Sequence, residues 1–245
     1  MKKIKVVYCD DIKESIRGTY FNIIKDVLEC VNKNENESVE KLINRIELHT
    51  EEEKEWKGFG GYYVHFLRII KIKVDKEKID NDVEFSLREL LYHEVMHALF
   101  EWRMIKNNNI YLYEQRSLGI EYINEYLAYY NGYKYISKYY EEEFQEKIKW
   151  YWGGCKGDIR QIYNKYNGKL MELTNKSDLY NLINSLARKV VLMQLTKEKH
   201  IKREYNEYSF FKDLPTNIDY KINAKELEKI DVNVYRYLEH VMWVE

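Results

Sequence analysis

The spacing of hydrophobic positions changes along the chain, and with it the predicted structure. From Lys3 to Cys9 apolar residues alternate and are rich in Val and Ile, which predicts a first strand. From Ile12 to Val31 they recur at helical spacing (Ile16, Tyr20, Ile23, Ile24, Val27, Leu28), predicting a helix that the polar run Asn32 to Glu37 ends. A short helix over Val39 to Ile43 and a strand over Arg45 to Thr50 follow. Glu51, Glu52, Glu53 and Glu55 read as a solvated turn. Gly58, Gly60 and Gly61 read as a flexible bend, and without a following Lys-Ser/Thr or a complete GxGxxG it is no phosphate loop. Tyr62 to Val74 is dense in β-branched and aromatic residues, giving one or two strands with Ile70, Ile72 and Val74 on one face.

The pattern then turns helical. Ser86-Leu87-Arg88-Glu89 has the spacing of a capping box and places a helix start near Ser86. Leu87, Leu90, Leu91, Val95, Ala98, Leu99 and Trp102 form a wide apolar face, and Asn107-Asn108-Asn109 stops the helix. Leu118 to Tyr130 reads as the next helix, with Asn131-Gly132 as its C-terminal punctuation. Beyond it, helices are expected over Lys134 to Trp152, Asp158 to Tyr166, Ser177 to Leu195 and Val232 to Val244. Trp150-Tyr151-Trp152-Gly153-Gly154 reads as a helix end that packs aromatics before a glycine break. The change from mixed to nearly all-helical pattern places a boundary at 132/133.

Composition narrows the class. The 245 residues are 45% hydrophobic and 33% charged, as in a soluble globular protein rather than a disordered one. Forty basic residues face forty-one acidic ones, so net charge gives no argument for nucleic acid or an anionic membrane as partner. The apolar run after Met1-Lys2-Lys3 is stopped by Asp10-Asp11, too early for a secretory signal. No stretch approaches the roughly 18 apolar residues of a membrane span. Cys9, Cys30 and Cys155 form no CxxC pair and read as reduced thiols, which points to the cytoplasm. A single proline with abundant Lys, Asn, Ile and Tyr suggests an AT-rich bacterial or phage coding sequence. The 24 tyrosines read as codon bias filling core and boundary positions before they read as a partner surface.

The chemistry sits on the helix after Ser86. His93-Glu94-Val95-Met96-His97 is an HExxH motif. Residues four apart share a helix face, so both imidazoles can reach one ion, and their nitrogens suit zinc. Glu94, one position round from His93, can serve as general base toward a water activated by the metal. With 6 histidines in the chain, chance would produce this motif about 0.02 times. Two histidines and a glutamate beside a buried helix face would also be costly unless paired or metal-bound. His65, His200 and His240 read as boundary or surface residues.

Asn124-Glu125-Tyr126-Leu127-Ala128 lies on the following helix, 28 positions past His97. With HExxH it resembles the gluzincin metallopeptidases, and more loosely the ImmA/IrrE-type bacterial metallopeptidases. In gluzincins a glutamate on the helix after HExxH completes the zinc site, often as Asn-Glu-x-x-small, and Glu125 matches it. The aspartate that thermolysin-like members carry four residues later is Tyr129 here, which leaves that orienting role unassigned. Glu121, one turn before Glu125, is the alternative ligand, or an orienting carboxylate. No HxxGxxH extends the first motif, as a metzincin would require, and no cysteine has the setting of a deformylase ligand.

The resemblance covers Tyr62 to Ala128, about a quarter to a third of the chain. It implies an α+β fold with a zincin-like core over residues 1–132, followed by a mainly α-helical region over 133–245. It implies Zn2+ held by His93, His97 and Glu125, with Glu94 as the catalytic base of amide hydrolysis on a peptide or protein substrate. An extended substrate would pair along an edge strand. Two rivals are a non-proteolytic zinc hydrolase and a regulatory binding protein that keeps zinc as a brace. The second has no need of a base at Glu94.

Overall fold

The computed structural model describes residues 4–9, 11–50, 60–108, 117–166, 168, 169, 173, 175–202 and 223–244. The acidic stretch Glu51 to Glu55, Gly58 and the side chain of His240 lie outside the described residues. The architecture is α+β, with four short strands followed by long helices.

Strands β1 (Lys5–Tyr8), β2 (Arg45–His49), β3 (Gly61–Val64) and β4 (Ile69–Lys73) form one sheet in the order β1-β2-β4-β3. Helix α1 (Glu14–Glu35) and a 3-10 turn (Val39–Lys41) connect β1 to β2. Central β2 is parallel to both neighbours, Ile46 standing opposite Val6 and Ile70. β3 returns antiparallel on β4 and forms the edge. Tyr62–Val74 thus makes two strands, joined by a tight reversal in which Arg68 takes a positive φ of 54°.

Alternation on β2 divides its side chains between two faces. Ile46 and Leu48, with Ile70 and Ile72 of β4, are fully buried. Ile23, Ile24 and Val27 of α1 are buried at helical spacing, and these rows make the apolar core. Glu47 and His49 point to the opposite face, yet each is only 7% exposed.

Helix α2 (Asn81–Asn108) begins five residues before Ser86. Asp80 caps it instead: its carboxylate accepts from Val83 N at 3.0 Å, and Glu84 N donates to its carbonyl at 2.9 Å. The Ser86–Glu89 spacing therefore falls inside the helix and does no capping. Asn36, in the left-handed conformation, ends α1 after the helix has run through the polar residues Asn32 to Glu35.

Helix α3 (Leu118–Tyr139) does not stop at Asn131-Gly132. Position 132/133 lies within it, and the helix ends near Tyr140. Helix α4 (Glu141–Lys165) likewise runs through Gly153 and Gly154. Burial overrides the glycine signal here: Phe144, Ile148, Cys155, Ile159 and Ile162 form one buried stripe down α4. Helices α5 (Lys176–Leu195) and α6 (Ala224–Val244) follow. Asn175 caps α5, accepting from Ser177 N at 2.9 Å. No described helix is long and apolar enough to cross a membrane.

A Cβ added at Gly154 would meet nothing within 4 Å. Gly154→Ala therefore gains helix propensity at no steric cost. It is expected to stabilise by roughly 0.5–1 kcal/mol and raise the melting temperature by about 1–4 °C. Thermal denaturation followed by circular dichroism checks this, and a lowered midpoint would contradict the steric argument.

The chain divides into two compact units. One comprises Met1–Trp102 with Asn131–Tyr139, the other Arg103–Tyr130 with Tyr140–Glu245. The sheet, α1 and the HExxH segment of α2 belong to the first.

Candidate metal centre

From Leu91 to Phe100 every residue of α2 is buried. The HExxH pentad lies wholly in this stretch, with His93 and His97 each 7% exposed and Glu94 4%. One helical turn brings the histidines together: Nε2 of His93 and Nε2 of His97 are 2.9 Å apart. Their rings meet edge to face, 4.6 Å between centroids and 86° between planes. Donor atoms of His93, Glu94 and His97 all lie within 4.8 Å of one another.

This arrangement fits zinc. Two nitrogens bound at about 2.0–2.1 Å to one tetrahedral ion stand roughly 3.3 Å apart, so an opening of about 0.4 Å turns the observed pair into a chelate. The donor set suits the metal as well, since neutral imidazole nitrogens are among its preferred ligands.

The surroundings hold this part of α2 in place. Tyr92 stacks on Tyr135 of α3, with centroids 4.5 Å apart and planes 19° off parallel. Arg88 donates to Tyr135 Oη at 3.3 Å and to Glu84 Oε1 at 2.8 Å. Burial pushes the Tyr135 hydroxyl up to about 12 and raises Tyr92 as well, so both stay un-ionised while they accept from Arg88 and from Asn34. Gly132 lies against this surface: a Cβ there would sit 3.7 Å from Glu89 O and from His93 N. Its place in the sequence marks a crossing of helices and not a helix end.

One turn past His97 on α2 stands Glu101, which continues the row His93, His97, Glu101. His65, at the end of β3, brings Nδ1 to 3.1 Å from Glu101 Oε2. Tyr63 also hydrogen-bonds Glu101, and its hydroxyl is raised by burial first and by that carboxylate second. His65, read as a boundary residue, is thus part of a polar cluster one turn beyond the motif. The i, i+4, i+8 spacing of His93, His97 and Glu101 was the available signal for it.

Glu125 is in the second unit and is 1% exposed. Both carboxylate oxygens are engaged there: Tyr180 Oη donates to Oε1 at 2.5 Å and Asn184 Nδ2 donates to Oε2 at 2.9 Å. Two donors fix the orientation of a buried anion and offset part of its desolvation. Glu121, the alternative, is only partly buried. Tyr180 and Asn184 are 55 and 59 positions beyond Glu125, and no local pattern linked them to it.

No protein-family model matches the chain, and neither a curated protein nor a solved structure does.

Proposed function

We propose that this chain is a zinc-dependent metallohydrolase of gluzincin type that cleaves peptide bonds, with a zincin-like core around α2. The observation that carries the reading is the buried 2.9 Å pairing of His93 and His97 ring nitrogens with the Glu94 carboxylate alongside. His93 and His97 hold the metal. Glu125 is assigned as third ligand on the gluzincin resemblance of its Asn-Glu-x-x-Ala motif, and within its own unit Tyr180 and Asn184 fix its carboxylate. When bound, zinc supplies a Lewis acid that lowers the pKa of water and polarises a carbonyl.

The chain's own groups do the rest. Glu94 takes the proton of the attacking water and delivers it to the departing amine, so one carboxylate serves as base and then as acid. Burial of the pentad keeps bulk water away and strengthens these interactions. Among the described residues β3 pairs with β4 alone, which leaves an edge along which an extended peptide can add as a strand. A bacterial or phage cytoplasm is the proposed setting, on the reduced cysteines and composition.

The test is hydrolysis of an unfolded protein by the purified chain. Cleavage should be lost on chelation and return with zinc. Cleavage indifferent to chelator would refute the metal mechanism. Absence of cleavage by fully zinc-loaded protein would refute the peptidase assignment and leave the small-molecule hydrolase.

A further inference from the structure

A second group of metal-ligating side chains lies in the first unit, away from the HExxH helix. Cys9 follows β1, and its N–H donates to Leu48 O at 2.9 Å, extending the β1–β2 ladder one step past Tyr8 and Leu48. That step sets Cys9 beside His49. Partners across a ladder share a face of the sheet, and Glu47, two residues before His49, shares it too. Donor atoms of Cys9, Glu47 and His49 accordingly lie within 4.8 Å of one another. His49 Nε2 is 3.5 Å from Glu47 Oε2.

We propose that Cys9, Glu47 and His49 form a second metal site for a borderline divalent ion, zinc being the natural occupant. Thiolate, imidazole and carboxylate are together a donor set that such ions take. Donors held at about 2.0–2.3 Å from one tetrahedral ion are roughly 3.3–3.8 Å apart. The His49–Glu47 separation already falls in that range, and Cys9 needs a shift of about 1 Å or less to reach it.

A purely structural ion-pair network is the competing account. Arg45 Nε sits 2.6 Å from Glu47 Oε1, and Lys71 Nζ is 4.0 Å from Oε2 while lying over the Tyr62 ring. These cations explain a buried Glu47. They do not explain why the opposite oxygen faces an imidazole that is itself 7% exposed and adjoins a thiol. Arg45, on Oε1, turns Oε2 toward His49, the orienting role that outer groups play around metal ligands.

The site is independent of the hydrolase reading, and cobalt distinguishes the two, because the HExxH assignment contains no sulfur. Co2+ added to the metal-free chain should give a near-ultraviolet sulfur-to-metal charge-transfer band. That band should persist in His93→Ala/His97→Ala and in Cys30→Ser, and disappear in Cys9→Ser. A wild-type chain without the band, or a band that survives Cys9→Ser, would overturn the proposal. A measurement on the unmodified chain guards against a misfolded variant. Zinc at ten times its Kd should slow alkylation of Cys9 by iodoacetamide about tenfold, as mass action requires. An alkylation rate unchanged by zinc would overturn the proposal as well.

Discussion

Glu94→Gln is expected to lower kcat by about 10²–10⁴-fold while leaving zinc content unchanged, the range lost with a general acid–base group. Glutamine keeps the size of the side chain and its carbonyl oxygen but cannot accept and release the proton. The position is 4% exposed and lies in a run of buried helix residues, so the exchange leaves the backbone in place. Neutralising a buried carboxylate also removes a desolvation cost, and stability should hold or rise. The measurements are steady-state kinetics beside metal analysis on the same sample. Retained turnover in a zinc-loaded variant would remove Glu94 from the mechanism.

The second large effect concerns Glu125. Glu125→Ala should weaken zinc binding by well over the roughly 10–100-fold typical of groups that only orient ligands, whereas Glu121→Ala should stay within that range. Tyr180→Phe should stay within it too, since it removes one donor to Glu125 Oε1 and leaves Asn184 on Oε2. Competition with a chromogenic chelator at fixed pH reads all three, in a Cys9→Ser background so that one class of site is titrated. The reverse ranking of Glu121 and Glu125 would move the ligand assignment one turn back on α3. No effect from either would end the gluzincin reading.

Much of the fold was legible because short-range periodicity decided it. β1, β2 and the β3–β4 pair stand where alternation placed them, and α1 and α5 where apolar spacing did. The helix breaks expected within α3 and α4 share one cause. Gly132, Gly153 and Gly154 read as punctuation, but each lies inside a helix whose buried stripe outweighs a glycine cost of about 1 kcal/mol. The capping box at Ser86 failed for a related reason: Asp80, one turn and a half earlier, offers an acceptor at the true start of α2.

The site divides the same way. His93, Glu94 and His97 are local to one helix, so their sequence spacing fixes their geometry. The pairings of His65 with Glu101, Tyr180 with Glu125 and Cys9 with His49 join residues far apart in the chain. No helical or strand period reports such contacts. Only the Asn-Glu-x-x-Ala motif singled out Glu125.

Zinc content measured by elemental analysis most directly tests whether His93 and His97 hold the metal. The comparison is between the Cys9→Ser chain and the same chain carrying His93→Ala and His97→Ala, with circular dichroism confirming that both are folded. The predicted result is one zinc per chain in the first and none in the second. Equal zinc in the two would contradict the assignment.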